Sequence, residues 1–385
     1  MSEMFFTLIP SNASIDFIGK RRIYVGISVV TLALAIIALL VKGLNYGVDF
    51  TGGTQIQVRF QSKPSDADVR KSLSKIQLSE ATVQEVGGEG SGEFLVRVST
   101  AGLDLTKYRE TLQKAFDAVS PAEGGPARLR FSEDRLYVQY EKSADPEKMK
   151  AGVNALGAQD ITAESVNPFG KESNHEYLVQ FAGVASRITG TFQESFGKGA
   201  FEILQTDQIG PKVGKELRWQ AVGAVLISMI LILIYVGFRF EFEFAPGAVL
   251  GLFHDAMIVL GVFAFFGLQF DLSIVAAVLT IIGFSINDTI VVYDRIRENI
   301  ARTRNPNLAV VMNDSINQTL SRTILTSGTV LLATLALVFF GGPITFNFAL
   351  AFSIGVVVGT YSSISVSSAL TLYLHEWRLR RHATA

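Results

Sequence analysis

The sequence has no cysteine, only four histidines and little charge. The absence of cysteine excludes a disulfide scaffold and a thiolate metal site. The histidines are scattered without metal-ligand spacing, so we expect no metal and no other cofactor. Charged residues make up 18% of the 385 residues, below the roughly 25% usual for soluble domains. The formal net charge of -1 gives no electrostatic reason to expect a nucleic-acid partner.

Long apolar runs account for much of the chain, which is 49% hydrophobic. Runs of about 17 to 25 mainly apolar residues can span a bilayer as helices. The first run is expected to remain as an anchor, because no small-x-small cleavage site closes it. We predict six membrane helices, at about residues 23–42, 219–238, 244–267, 272–293, 323–340 and 346–374.

Lysine and arginine are distributed unevenly among the short connections. They cluster before the first span, between the fourth and fifth spans, and after the sixth, whereas residues 269–273 and 341–346 contain none. Such residues favour the cytoplasmic side of a membrane. The prediction places residues 43–216 outside and the cytoplasmic parts at residues 1–22, 294–321 and 375–385.

The outer segment is too long for a loop, and it contains a repeat. EFLVRV at 93–98 recurs as EYLVQF at 176–181, and IQVRF at 56–60 is echoed by LYVQY at 136–140. These alternating segments read as strands. The alternative to duplication is that alternating strands resemble one another by chance.

Helical stretches follow the repeated strands in matching order. We assign them to residues 65–76, 104–119, 145–156 and 186–196. This order predicts two β-α-β-β-α modules, at about 44–124 and 127–206, the second closed by a strand at 201–205. The expected fold is a six-helix α-helical transmembrane bundle with an α+β, ferredoxin-like and duplicated periplasmic domain.

Glycine-rich segments mark both junctions of this domain, at 47–54 and 210–217. Glycine permits unusual backbone dihedrals where a membrane span meets a domain that has to swing. We therefore predict hinges at Gly52, Gly53 and Gly210. A phosphate-binding loop is a weak alternative, because the glycines lie outside a βαβ unit.

Two carboxylates and one guanidinium in or beside the predicted membrane spans are candidates for a functional role. Asp288 and Asp255 lie within otherwise apolar runs, and Arg322 stands at the start of another. A carboxylate in hydrocarbon costs several kcal/mol unless it is paired or wetted, so it indicates function. Alternatively, Arg322 snorkels to the interface, and Asp255 pairs helices through His254 or Asn287. The functional interpretation is a bundle that moves protons or ions.

Small and polar residues align on single faces of four spans at about 100° per residue. The fourth span aligns Thr280, Gly283 and Asn287 with Asp288 at the margin, and the fifth aligns Arg322, Thr326, Thr329 and Ala333. The other aligned residues are Gly247, Gly251, His254, Ile258 and Gly261 in the third span and Gly355, Gly359 and Ser362 in the sixth.

We predict that these faces share a polar seam, with Asn287, Thr280, Thr326 and Thr329 supporting the ionisable groups. The alternative is that the small residues only let helices pack closely, as for Gly355 and Gly359.

The connection at 294–321 combines arginines with apolar residues, as in helices that lie along a membrane interface. An interfacial anchor is the prediction, and docking to partner proteins is the alternative.

Several motifs resemble those of a known family. They are GVDFTGGT at 47–54, VGKEL at 213–217, YVGFRF at 235–240, His254-Asp255, SINDTIVV at 285–292, DRIREN at 294–299 and QTLSRT at 318–323. Together they are similar to the SecF family, the smaller member of the SecD/SecF accessory pair of the bacterial protein-export translocon. That family usually carries one small outer module, whereas two are predicted here.

The resemblance implies that Asp288 and Arg322 relay protons and that Asp255 is a further intramembrane acid. It also implies a non-enzymatic, multi-pass inner-membrane subunit that uses the proton motive force to promote protein export. The implied partners are SecD, the SecY/SecE/SecG translocon, YajC, exported preproteins, the lipid bilayer and protons. The bundle resembles half of a resistance-nodulation-division transporter.

Two other functions remain open from the residues alone. A proton-coupled exporter of lipids or small molecules would need the same membrane chemistry. An intramembrane aspartyl protease would use Asp255 and Asp288, but no Gly-x-Gly-Asp-like sequence surrounds either residue.

Overall fold

A computed structural model describes residues 14–76, 78, 81–86, 90–98, 105–121, 125–132, 135–156, 161–181, 183–239, 244–304 and 307–383. The chain divides into two units. We call Met1–Gly47 together with Arg218–Ala385 the membrane unit, and Val48–Leu217 the sheet unit. Parts of the predicted features lie outside the described residues, among them 1–13, the helix start at 104, 122–124, 157–160, 182, Phe240 of the YVGFRF motif, 305–306 and 384–385.

Helices account for most of the described chain. In chain order they are α1 Arg21–Val41, α2 Val48–Thr51, α3 Asp66–Ser74, α4 Arg109–Ala118, α5 Pro146–Asn154, α6 Val184–Phe196, α7 Pro211–Arg239, α8 Ala245–Phe266, α9 Leu272–Arg302, α10 Leu308–Phe340, α11 Gly342–Ser362 and α12 Ser368–Ala383. A π-helical segment, Ser363–Ser367, joins the last two, and short 3₁₀ helices occur at Leu105–Tyr108 and Glu172–Asn174.

The strands of the described residues form three separate sheets. They are β1 Asn45–Tyr46, β2 Gly53–Phe60, β3 Thr82–Val86, β4 Glu93–Val98, β5 Arg128–Ser132, β6 Arg135–Gln139, β7 Ala163–Phe169, β8 Glu176–Phe181, β9 Phe201–Ile209 and β10 Gln269–Phe270.

Six helical segments among the described residues are long and apolar enough to cross a membrane, which confirms the predicted number. They are Arg21–Val41, Lys212–Arg239, Ala245–Phe266, Leu272–Arg302, Leu308–Phe340 and Ile344–Arg381. Local sequence sets two of the ends. The Asp271 carboxylate caps α9 by accepting a hydrogen bond from the Ile274 amide, and Gly267 ends α8 in the left-handed region at a φ of 66°.

The connection at 294–321 is mostly a continuation of α9 and α10. Its apolar residues Ile296, Met312 and Ile316 are fully buried in the core of the membrane unit. They pack between helices rather than against lipid, so the predicted separate interfacial helix is replaced by two helix extensions.

The first four-stranded sheet has the order β3-β4-β2-β9, and every neighbouring pair is antiparallel. Helices α3 and α6 supply Val69, Leu73, Ile188 and Phe192 to its core. Phe60 lies at the centre, with edge-on contacts to the rings of the core phenylalanines. The elements of this sheet follow the chain order β-α-β-β-α-β.

The second sheet has the order β5-β6-β8-β7, again antiparallel throughout. Its core receives Leu112 and Phe116 from α4 and Met149 and Val153 from α5. The two repeated sequence segments form its central pair, β6 with β8, as their counterparts form the pair β2 with β4 in the first sheet.

The two modules of the outer segment therefore do not coincide with the predicted modules, 44–124 and 127–206. Helix α4 belongs to the second sheet, while α6 and β9 belong to the first. The second module, from Leu105 to Phe181, is inserted into the first between β4 and α6. The sequence repeat covers only the strand-helix-strand-strand part of each module, so it gave no information about which helix and strand complete each sheet.

The smallest sheet joins two parts of the membrane unit. Asn45 and Tyr46 pair in parallel with Gln269 and Phe270, and the amide of Gly47 donates to the Phe270 carbonyl at 2.8 Å. Phe270 directly precedes the residue that caps α9. The chain that leaves α1 is thus fixed to the start of α9.

Candidate functional site

Asp255 lies at the centre of a polar cluster between α8, α9 and α11, and none of its surface is exposed. Its Oδ2 accepts hydrogen bonds from the Ser285 hydroxyl at 2.6 Å and from the Ser362 hydroxyl at 2.7 Å. Its Oδ1 lies 2.9 Å from Nδ1 of His254. Three side chains therefore hydrogen-bond to the Asp255 carboxylate.

Gly359 makes this cluster possible. A Cβ at this position would lie 3.1 Å from Cβ of Ser285 and 3.6 Å from Oδ2 of Asp255. The missing side chain lets α11 approach α9 closely enough for the hydroxyl of Ser362 to reach the acid. The small-residue face predicted on the sixth span thus has a packing role that also brings the polar groups together.

Asp288 is also buried, with 2% of its surface exposed, but it has fewer partners. The Ser327 hydroxyl on α10 donates to its Oδ2 at 3.2 Å. Thr360 on α11 donates in turn to Ser327 at 2.7 Å. This chain joins α9, α10 and α11, and it leaves the Asp288 carboxylate with one hydrogen bond from a side chain among the described residues.

Arg322 is exposed on α10. Within the described residues, no hydrogen bond or ion pair joins it to Asp288, although its charge acts on that carboxylate. The structure therefore brings the two predicted relay residues into electrostatic range without direct contact.

The predicted supporting residues lie on the outside of the membrane unit. Asn287, Thr280, Thr326 and Thr329 are all exposed. The three threonine hydroxyls donate to carbonyls of their own helices, at 2.7 to 2.9 Å. We call this surface, formed by Thr280, Asn287, Arg322, Thr326 and Thr329, the polar stripe. The buried polar contacts are made instead by Ser285, Ser327, Thr360 and Ser362, which the sequence analysis did not assign to the relay.

A further buried polar contact joins α9 to α12. The hydroxyl of Tyr293, which is 1% exposed, lies 2.8 Å from Oγ1 of Thr371 on α12. Gly247 and Gly251 on α8 face Thr371 and Ser367, where an added Cβ would overlap these side chains. The π-helical segment lies between Ser362, which contacts Asp255, and Thr371, which contacts Tyr293. This segment is buried and rich in serine. Such segments are frequent at functional sites.

The predicted hinge glycines differ in backbone conformation. Gly52 and Gly53 have positive φ values of 74° and 129°, which side chains rarely adopt. Gly210 is not among the described glycines of positive φ. At Gly214 the constraint is space rather than φ, because an added Cβ would lie 2.9 Å from the amide nitrogen of Gly52.

Comparisons with known proteins match nearly the whole chain. Residues 189–377 match the family "Protein export membrane protein SecD/SecF, C-terminal", and residues 37–64 match the SecD/SecF GG motif. The latter segment contains Gly52 and Gly53, which have positive φ. A protein translocase subunit SecF of Koribacter versatilis is 36% identical over 97% of this chain and 95% of its own length.

A longer relative is similar to this chain over one part of its length. The protein translocase subunit SecDF of Thermus thermophilus is 35% identical over 96% of this chain and 39% of its own length. A crystal structure of SecDF, a translocon-associated membrane protein from that organism, matches with a TM-score of 0.65 and 32% identity. The match covers 96% of this chain and 40% of the SecDF chain. These relatives are named as translocase subunits rather than as enzymes. The chain is a multi-pass membrane protein and belongs to the SecF family of protein translocase subunits.

Proposed function

We propose that this chain is a bacterial inner-membrane subunit of the Sec protein translocase and uses the proton motive force to promote polypeptide export. Family membership supports the role in translocation. The observation that carries the proton step is Asp288, a carboxylate 2% exposed within a membrane-spanning helix and held by one side-chain hydrogen bond.

Asp288 is suited to change its protonation state. Its buried carboxylate accepts one hydrogen bond from Ser327, and Arg322 lies on the same neighbouring helix. Proton uptake would weaken its attraction to both groups on α10. Proton release would restore that attraction, so each proton passage would alternate the contact between α9 and α10.

The polar stripe supports the proposal that a second membrane protein packs against this chain. Exposed polar and charged side chains on α9 and α10 would be costly against lipid hydrocarbon, so we propose that another polar helical face covers them. The Thermus relative is more than twice as long as the matched region, and SecD would supply the missing half here. The buried Asp255 would then act alongside Asp288, with Asn287, Thr280, Thr326 and Thr329 lining the contact.

The sheet unit would bind the exported polypeptide on the periplasmic side, with both termini in the cytoplasm. We propose that its modules are two ferredoxin-like folds that arose by duplication. In each sheet the repeated segments form the central pair of strands. The helix and strand that complete the sheet follow the repeated segments in the first module, as α6 and β9, but precede them in the second, as α4 and β5. The SecY/SecE/SecG channel and YajC are the further proposed partners.

The experiment that tests this function replaces Asp288 by Asn, which keeps size and hydrogen bonding but removes the titratable proton. Asp314→Asn, an exposed change on α10, is the matched control. Proton flux and precursor translocation are measured in membrane vesicles that contain SecD and the translocon. We expect Asp288→Asn to lose both activities and Asp314→Asn to keep both.

Two results would contradict the proposal. Normal flux and export in Asp288→Asn would remove the relay assignment. Loss of flux with unchanged precursor export would favour a proton-coupled exporter of lipids or small molecules instead.

A further inference from the structure

His254 has a ring nitrogen that the contacts described above leave unused. The residue is 4% exposed, on the buried side of α8. Its Nδ1 faces Asp255, whereas its buried Nε2 has no hydrogen-bond partner among the described residues. A buried polar atom without a partner costs free energy, and each such atom in a folded protein calls for a chemical explanation.

The surroundings of Asp255 determine which nitrogen of His254 carries the proton in the neutral ring. Both serine hydroxyls donate to Oδ2 of Asp255, which leaves Oδ1 for the imidazole. An ionised Asp255 can only accept hydrogen bonds, which requires the imidazole to donate through Nδ1. The proton of a neutral imidazole then lies on Nδ1, and the lone pair lies on Nε2.

We propose that His254 and Asp255 form a second proton-binding site, in which Nε2 of His254 takes up the proton. One N–H bond forms, and the resulting imidazolium is compensated by the adjacent carboxylate. The same division of roles, in which a carboxylate orients an imidazole and stabilises its charged form, operates in catalytic triads. This inference rests on the proposed proton-driven function and adds a second station to it.

The surrounding elements present few other ionisable groups to this pair. Among the described residues, α9 contributes buried Asp288 and Tyr293. Helix α1 contributes Ser28 from its buried face, and its Arg21 pairs with Glu376 of α12. Helix α11 and the π-helical segment contribute hydroxyls, with Tyr361 bonded to the Tyr24 carbonyl.

The two proton sites act on the same helices. Ser285, which bonds Asp255, lies three residues before Asp288 on α9. On α11, Thr360 reaches Asp288 through Ser327, and Ser362 reaches Asp255 directly. A proton at His254 would alter the acceptor strength of Asp255 toward α11, while a proton at Asp288 would alter the contact with α10.

The first measurement observes the imidazole itself. The full chain is labelled with ¹⁵N-histidine, reconstituted into lipid bilayers and studied by solid-state nuclear magnetic resonance. The sequence has only four histidines, so the His254 signals are those that disappear in His254→Asn. We expect Nδ1 to stay protonated and Nε2 to change from unprotonated to protonated between alkaline and acidic samples. An Nε2 signal that never changes, or a bare Nδ1 throughout, would overturn the proposal.

The second measurement is proton flux in vesicles that contain SecD and the translocon. Asn at 254 can still donate to Asp255 through its amide but cannot titrate, so we expect roughly tenfold or greater loss of flux. His375→Asn, outside the cluster on α12, is the control and should keep full flux. Wild-type flux in His254→Asn would overturn the second site.

Asp288→Asn in the same assay distinguishes failure of the second proton-binding site from failure of the relay at Asp288. If it loses flux while His254→Asn keeps it, only the second site is wrong. If Asp288→Asn keeps normal flux and export, the relay assignment of Asp288 fails, and the proposal that His254 adds a second station to it fails as well.

Discussion

Gly53 and Ile209 pair directly across two antiparallel strands, so the first residue of β2 and the last residue of β9 lie side by side. Gly214, five residues beyond Ile209, has backbone from Phe50 and Gly52 where a side chain would be. The two glycine-rich junctions of the sheet unit therefore form one connected element. Gly52 is the residue in this element that both lacks a strand partner of its own and holds a positive φ.

Gly52→Val should impair export without preventing assembly. A β-branched residue at a φ of 74° is strained, at a cost of about 1–3 kcal/mol, and it restricts the motion that we propose at this junction. Gly53→Val should behave similarly. Co-purification with SecD measures assembly, and precursor translocation in vesicles measures export.

A valine at Gly90 is the matched control for strain alone. Gly90 has a similar φ of 77°, and nothing lies within 4 Å of an added Cβ. It belongs to the turn before β4, away from the junction. Equal export defects in Gly90→Val and Gly52→Val would mean that both changes merely destabilise the sheet unit.

Arg322→Ala should lower proton flux more than Arg322→Lys. Lysine keeps the positive charge that acts on Asp288 but loses the planar donor array of arginine. Because Arg322 is exposed and unpaired with Asp288 in this chain, charge should matter more than its geometry. Arg304→Ala, an exposed change in the connection before α10, is the control. An Arg322→Lys variant as inactive as Arg322→Ala would show instead that the guanidinium shape is required.

Removal of the inserted module should leave the first module folded. We expect a chain that joins Val98 to Gly183 through a short Gly-Ser linker to insert and to bind SecD, because it keeps every element of the first sheet. By contrast, deletion of residues 127–206 removes α6 and most of β9, which contribute Ile188, Phe192 and an edge strand. Membrane insertion and co-purification distinguish these variants. Failure of the first deletion would mean that the two sheets fold as one cooperative unit.

Tyr140 predicts an alkaline limit for the second module. Burial, the charge of Asp117 and the nearby Tyr177 raise the pKa of its hydroxyl, which donates to the Phe116 carbonyl at 3.0 Å. Above the unfolded-state pKa of about 10, the unfolded chain releases this proton while the folded chain retains it. The stability of the folded state therefore falls as pH rises above that value.

Tyr140→Phe should remove this part of the pH dependence while costing about 1 kcal/mol at neutral pH through the lost hydrogen bond. Thermal unfolding followed by circular dichroism between pH 8 and about pH 11 would measure both effects. Tyr137→Phe, three residues earlier on strand β6, is the control. An unchanged alkaline slope in Tyr140→Phe would exclude this residue as its source.

The membrane helices could be predicted from sequence because apolar length alone defines them. Their packing was harder to predict, as α9 shows. Its polar residues occur on two faces, one with Thr280 and Asn287 and the other with Ser285 and Asp288. Helical periodicity separates these faces but does not say which one meets other helices of the same chain. The sequence therefore predicts the shared seam at a face that the structure leaves exposed.

The sheet unit shows a different limit. The repeat located the central strands correctly, because their alternation is local. Which of α4 and α6 covers which sheet depends on contacts between distant segments, such as Phe192 with Phe60, and local patterns contain no information about them.

The inserted arrangement also fixes the order in which the sheet unit can fold during synthesis. The second module is complete at Phe181, whereas the first must wait for α6 and β9, which begin at Val184 and Phe201. At about 5 to 20 residues per second, roughly 4 to 17 seconds separate the end of β4 from the arrival of α6. During that interval the guest module can be fully formed while one edge of β2 in the host sheet remains unpaired. Unpaired edges invite incorrect strand pairing, so the nascent chain is most vulnerable to aggregation during this interval.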